Sequence, residues 1–97
     1  MYLKVHRTPT GGDIVAVCDR ELLNTTLDRD GLAIPISEAF YGKDLATEQE
    51  VQGAMLAAAC INLMGKRAFA LARRLNLVEE GGCLLIGEIP HAQIFCI

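Results

Sequence analysis

Residues 47–75 read TEQEVQGAMLAAACINLMGKRAFALARRL, and the reading of this stretch decides the fold. Thr47-Glu48-Gln49-Glu50 fits a capping box. The Thr47 hydroxyl takes the N–H three residues on, and the Glu50 carboxylate reaches back. From Gly53 to Met64 almost every residue is apolar, which predicts a helix buried on all sides. A membrane span needs about 20 apolar residues. This run is shorter, is interrupted by Asn62 and is closed by Lys66-Arg67, so a core helix is expected and a membrane partner is not. The small residues Ala54, Ala57, Ala58 and Ala59 keep it thin enough for close packing. Gly65 breaks or bends it. Beyond Gly65 the pattern is amphipathic at about 100° per residue. Lys66, Arg67, Ala70, Arg73 and Arg74 share one face, and Ala68, Phe69, Leu71, Ala72 and Leu75 share the other. Asn76 fits the left-handed position that closes such a helix.

Working outward, the chain before this stretch opens with a strand over Met1 to Arg7, with Tyr2 and Lys4 on one side and Leu3 and Val5 on the other. A turn over residues 8–13 follows, and Ile14 to Cys18 is its hairpin partner. Asp19 is placed to cap one short turn holding Leu22 and Leu23, and Asn24 closes that turn. Asp28 to Gly31 is a polar turn, and Leu32 to Ile36 is a short strand. Ser37 to Gly42 forms a helical turn. After the helix pair, Val78 to Gly82 is a loop and Cys83 to Ile86 a buried strand. Gly87 to Pro90 turns the chain, and His91 to Ile97 is a last, apolar strand. Such an end must be packed inside or against another copy. The sum is a single α+β domain over residues 1–97, with a mostly antiparallel sheet of about four to five strands packed on a central helix pair.

Composition narrows the function. The 97 residues are 52% hydrophobic and 22% charged, which excludes a disordered chain. The net charge is −3, so bulk positive charge does not hold a nucleic acid here. No apolar leader is visible at MYLKVHR, and a cytoplasmic protein is expected. Cys18, Cys60, Cys83 and Cys96 show no C-x-x-C spacing, so reduced, buried cysteines are expected, with no metal and no cofactor.

Several short motifs occur together: Cys18-Asp19 with Glu21-Leu22-Leu23, Phe40-Tyr41-Gly42, Asn62-Leu63 with Gly65, and Pro90-His91-Ala92-Gln93. In this order and over almost the whole chain they resemble the archaeal domain-of-unknown-function family 424. Asn24-Thr25 stands where that family's pattern carries Gly-Lys, which removes a positive charge from the loop. The resemblance implies a cytoplasmic archaeal protein associated with RNA or translation, with no established reaction.

Two sets of residues carry the chemistry. In a strand, His91 and Gln93 point to one face, and a histidine beside an amide recognises a base edge, a carboxylate or a phosphate. Asp19, Tyr41 and Asn62 are the candidates to join them in a ligand pocket. The stripe Lys66, Arg67, Arg73 and Arg74 is the candidate RNA contact. No nucleophile motif is present. The leading expectation is therefore a non-enzymatic binding module for RNA or a translation-related complex. The alternative is a small-molecule-binding protein or enzyme built around His91, Asp19, Asn62 and Tyr41. A homodimer through the C-terminal strand is a further expectation.

Overall fold

The computed structural model describes residues 1–9 and 11–96. Thr10, read above as part of a turn, and Ile97, read as the end of the last strand, lie outside the described residues. The elements run β1 (Tyr2–Arg7), β2 (Asp13–Cys18), a 3-10 turn (Arg20–Leu22), β3 (Thr26–Arg29), β4 (Leu32–Pro35), α1 (Glu38–Tyr41), α2 (Glu48–Ala57), β5 (Cys60–Met64), α3 (Lys66–Arg74), β6 (Leu84–Ile86) and β7 (Ile89–Phe95). Five strands form one sheet in the order β1-β2-β5-β7-β6, and β3 and β4 form a separate hairpin. Within the large sheet only β2 and β5 run parallel. The α+β class and the mostly antiparallel sheet are as expected.

The largest correction falls inside the stretch that opened the reading. The helix begins where expected, and both halves of the Thr47–Glu50 capping box are made. It stops at Ala57, however, and the segment CINLM is a strand in the middle of the sheet. The Ala59 N–H donates to the Asp13 carbonyl, and the Ala59 carbonyl accepts from the Cys96 N–H. These bonds draw the chain into the ladder between β2 and β7. A strand set between two neighbours, with one face and part of the other covered, reads as a nearly unbroken apolar run, which periodicity does not separate from a buried helix. The hydrophobic centre is therefore β5 with β2, and α2 contributes chiefly Val51 and Met55.

Strand alternation sorts the core into two layers. Val15, Val17, Ile61, Leu63 and Ala92 face α2 and α3, where they meet Val51, Met55, Ala68, Phe69, Leu71 and Ala72. Ala16, Cys18 and Met64 face the other way, under Leu22, Ile36 and Tyr41. The amphipathic reading of α3 holds: its alanine, phenylalanine and leucine side is buried and its basic side is exposed. Asn76 takes φ 59°, with its N–H on the Arg73 carbonyl and the Leu77 N–H on the Ala72 carbonyl. This double bond pattern closes the helix as a Schellman motif.

Smaller corrections follow the same logic. Residues 26–29, partly read as a turn, are strand β3, joined to β4 through Asp30 and Gly31, both at positive φ. That is the two-residue hairpin turn which an Asp-Gly pair favours. Pro90 lies within β7 opposite Leu85, so the turn is only Gly87-Glu88. Strand β6, read as buried, is a short edge with Leu84 43% and Leu85 57% exposed. Of the four free cysteines only Cys18 is fully buried. No helix among the described residues is long and apolar enough to cross a membrane.

Candidate functional site

The side of the large sheet away from α2 and α3 is only half covered. The β3–β4 hairpin, the 3-10 turn and α1 close its Cys18–Met64 end. At the other end Ile14, Cys60 and Phe95 stand side by side on neighbouring strands, with no helix or strand over them among the described residues. One row further in, Ala16, Asn62 and Gln93 are cross-strand neighbours. The result is an open groove of about 440 Å³, walled on one side by Thr8, Gly11 and Gly12 and on the other by Gln93 and Phe95. Thr8 shapes its wall by donating from Oγ1 to the Gly12 carbonyl and accepting from the Gly11 N–H. No charged side chain lines the groove among the described residues. Phe95 is 72% exposed. An aromatic ring beside two amides offers stacking and hydrogen bonding without net charge.

Of the five pocket candidates, Asn62 and Gln93 are therefore brought together, and Asn62 takes no part in the turn at Gly65. The Gly65 N–H goes to the Pro90 carbonyl instead. His91 is two residues along the same strand, with Nδ1 donating to the Leu63 carbonyl at 2.8 Å. It lies inside β7, not at its start, and its ring is anchored to the backbone of the neighbouring strand.

Asp19 is used up structurally. It is 2% exposed, and its two carboxylate oxygens accept from the Arg67 N–H at 3.0 Å and the Ala68 N–H at 2.9 Å. It caps the N-terminus of α3 and leaves its own 3-10 turn without a side-chain cap. Gly65, at φ 117°, makes this approach feasible, because a Cβ there would lie 2.6 Å from the Asp19 Oδ2. Tyr41 is buried against Cys18 and Met64. Burial pushes the Cys18 thiol up to about 12, with the Asp19 carboxylate adding to it, and pushes the Tyr41 hydroxyl up to about 12. Both stay protonated at neutral pH and offer no nucleophile.

The basic stripe is exposed, but three of its four members face acids: Arg67 with Glu21 at 3.5 Å, Arg73 with Glu80 at 3.8 Å, and Arg74 with Glu48. Lys66 alone has no carboxylate partner among the described residues. The stripe and the groove lie on opposite sides of the sheet, since α3 packs on the Leu63 face. No cluster of metal-ligating side chains occurs among the described residues.

Phe95 is the functional candidate that sequence reasoning missed as a site. Its signal was available: it shares the alternation of His91 and Gln93, and β7 carries no charge beyond them. What hid it was the assumption that a terminal apolar strand is buried.

The family model for "Protein of unknown function (DUF424)" matches residues 6–97. Among solved structures the chain is similar to an uncharacterized conserved protein from Methanopyrus kandleri. The identity is 25% and the TM-score 0.81, over 97% of this chain and 89% of that one. No curated protein matches it. The chain belongs to the DUF424 family.

Proposed function

We propose that this DUF424 protein is a non-enzymatic module that binds single-stranded RNA bases on the open half of its sheet. The observation that carries this reading is the cross-strand pair Asn62–Gln93 beside the exposed Phe95, in a groove that no charged side chain lines among the described residues. Aromatic rings on a sheet stack bases with roughly 1–3 kcal/mol per base. Amide side chains pair with base edges. The setting that goes with the reading is the archaeal cytoplasm, with RNA or a translation-related complex as partner.

The location differs from the basic helix face that the sequence suggested. A ligand seated in the groove does not also touch the arginines of α3, and those arginines already face Glu21, Glu80 and Glu48. The enzyme alternative is less well supported, because Asp19 and His91 are engaged by the backbone and Tyr41 is interior.

Fluorescence anisotropy with a labelled single-stranded RNA tests this. Phe95→Ala weakens binding by roughly 5- to 150-fold, the equivalent of one lost stack. Because bases and not phosphates are held, affinity falls only shallowly with salt. Changing Arg67, Arg73 and Arg74 together to Glu leaves most of the binding. A steep salt slope with loss in the arginine variant, and no effect of Phe95→Ala, returns the contact to α3 and overturns the sheet-face reading.

A further inference from the structure

The two edges of the large sheet are treated differently. At the β1 edge, Leu45 bridges to Tyr2 and the Ala46 N–H donates to the Met1 carbonyl, so the start of the strand is covered. The rest of β1 carries exposed Lys4 and Arg7. Charges and covering segments are the usual protection of an edge. The other edge has neither along half its length. Among the described residues, strand β6 pairs with β7 only over Ile89 to His91, and β7 runs on to Phe95 without an outer neighbour.

The direction of the backbone groups follows from bonds already made. Pro90 and Cys96 bond inward, through Pro90 O to Gly65 and Cys96 N to Ala59. Alternation then turns the N–H and C=O of Gln93 and Phe95 outward. Those four groups have no partner in the described chain, and the residues that carry them are neutral.

We propose that two copies of this chain join their sheets along β7 about a two-fold axis at Ile94. In that antiparallel register each Gln93 faces the partner's Phe95, and four backbone hydrogen bonds form between the open groups. An axis at Gln93 instead places Phe95 against His91, already paired to β6. A two-fold contact of this kind uses one patch twice. It also suits the charge: a chain of net charge −3 repels its own copy, and this edge is a neutral place to approach. The partner's Phe95 falls in line with Leu84, two strand positions or about 7 Å away on the same face. The exposed leucine is then covered. The pairing is inferred from the edge alone. Its consequence, a groove continued across the axis with the partner's Phe95 beside Gln93, rests on the RNA-binding reading.

Sedimentation of the full chain without RNA tests the pairing separately from any ligand. The expected particle is twice 10.5 kDa at micromolar concentration. Phe95→Lys places two like charges near the axis, and Gln93→Pro removes an outward donor while leaving the bonds to β5. Each raises the dimer dissociation constant about tenfold or more with little change in melting temperature. Should Gln93→Pro fail to fold, Phe95→Lys decides, since that side chain is mostly solvent-exposed. Leu56→Lys, on the outer side of α2, leaves the dimer intact. A wild-type monomer at every concentration, or a dimer that survives Phe95→Lys, overturns the proposal.

Discussion

Replacing Asp19 with alanine isolates the contact that ties the end of β2 to α3. The carboxylate is 2% exposed and accepts two backbone N–H groups, at 3.0 Å from Arg67 and 2.9 Å from Ala68. Loss of an ordinary helix cap costs about 0.5–2 kcal/mol. Here the Ala68 N–H is buried and would be left without a partner, at about 1–3 kcal/mol. The Arg67 bond is only part-buried, so that group adds less. The expected loss is about 2–4 kcal/mol. In a domain of this size each kcal/mol moves the melting temperature by roughly 4–8 °C, so a fall of roughly 8–32 °C is expected. Asp19→Asn keeps one acceptor oxygen and falls between alanine and wild type. Urea unfolding followed by circular dichroism measures both, with unchanged slope as the check that the unfolded state is unaltered. A loss under about 0.5 kcal/mol for Asp19→Ala would refute the capping role and return Asp19 to the pool of ligand-binding candidates.

Gly65→Ala destabilises by a comparable amount, through the clash with Asp19 and the positive φ together. Combining it with Asp19→Ala costs less than the sum of the two, because the contacts with the Asp19 Cγ and Oδ2 are gone while the approach to its Cβ at 2.7 Å and the backbone strain remain, and a double-mutant cycle reads the difference. Alkaline pH probes the covered end of the sheet. The Cys18 thiol is raised from 9.0, and the Tyr41 hydroxyl from 10.0, each to about 12 in the folded protein. The folded state therefore holds protons that the unfolded state has released. Their contribution to stability is complete below about pH 9 and is lost as pH rises through about 12. Cys18→Ala flattens the lower part of that decline in a melting-temperature profile, and an unchanged profile contradicts it.

Legibility followed the range of the interaction. The Thr47 capping box, the two faces of α3 and the left-handed Asn76 are set by residues within one helical turn of each other, so the sequence showed them. Asn62 stands out in the sequence as a polar break in an apolar run, and Gln93 as the residue that shares a strand face with His91. That they are cross-strand neighbours needed the register of β5 against β7. Asp19 was recognised as a cap but assigned to the adjacent turn, and its actual partners are 48 and 49 residues away.

By itself, then, the sequence determined where α2 starts, where α3 starts and ends, which side of α3 is wet, and that the domain is α+β. The tertiary structure alone decided the state of Cys60 to Met64. Alanine, leucine and methionine on either side favour helix locally. The strand wins because β2 and β7 offer backbone partners on both sides, and Ile61 and Leu63 fit under α2 and α3. No local pattern contains that choice, since the partners come from opposite ends of the chain.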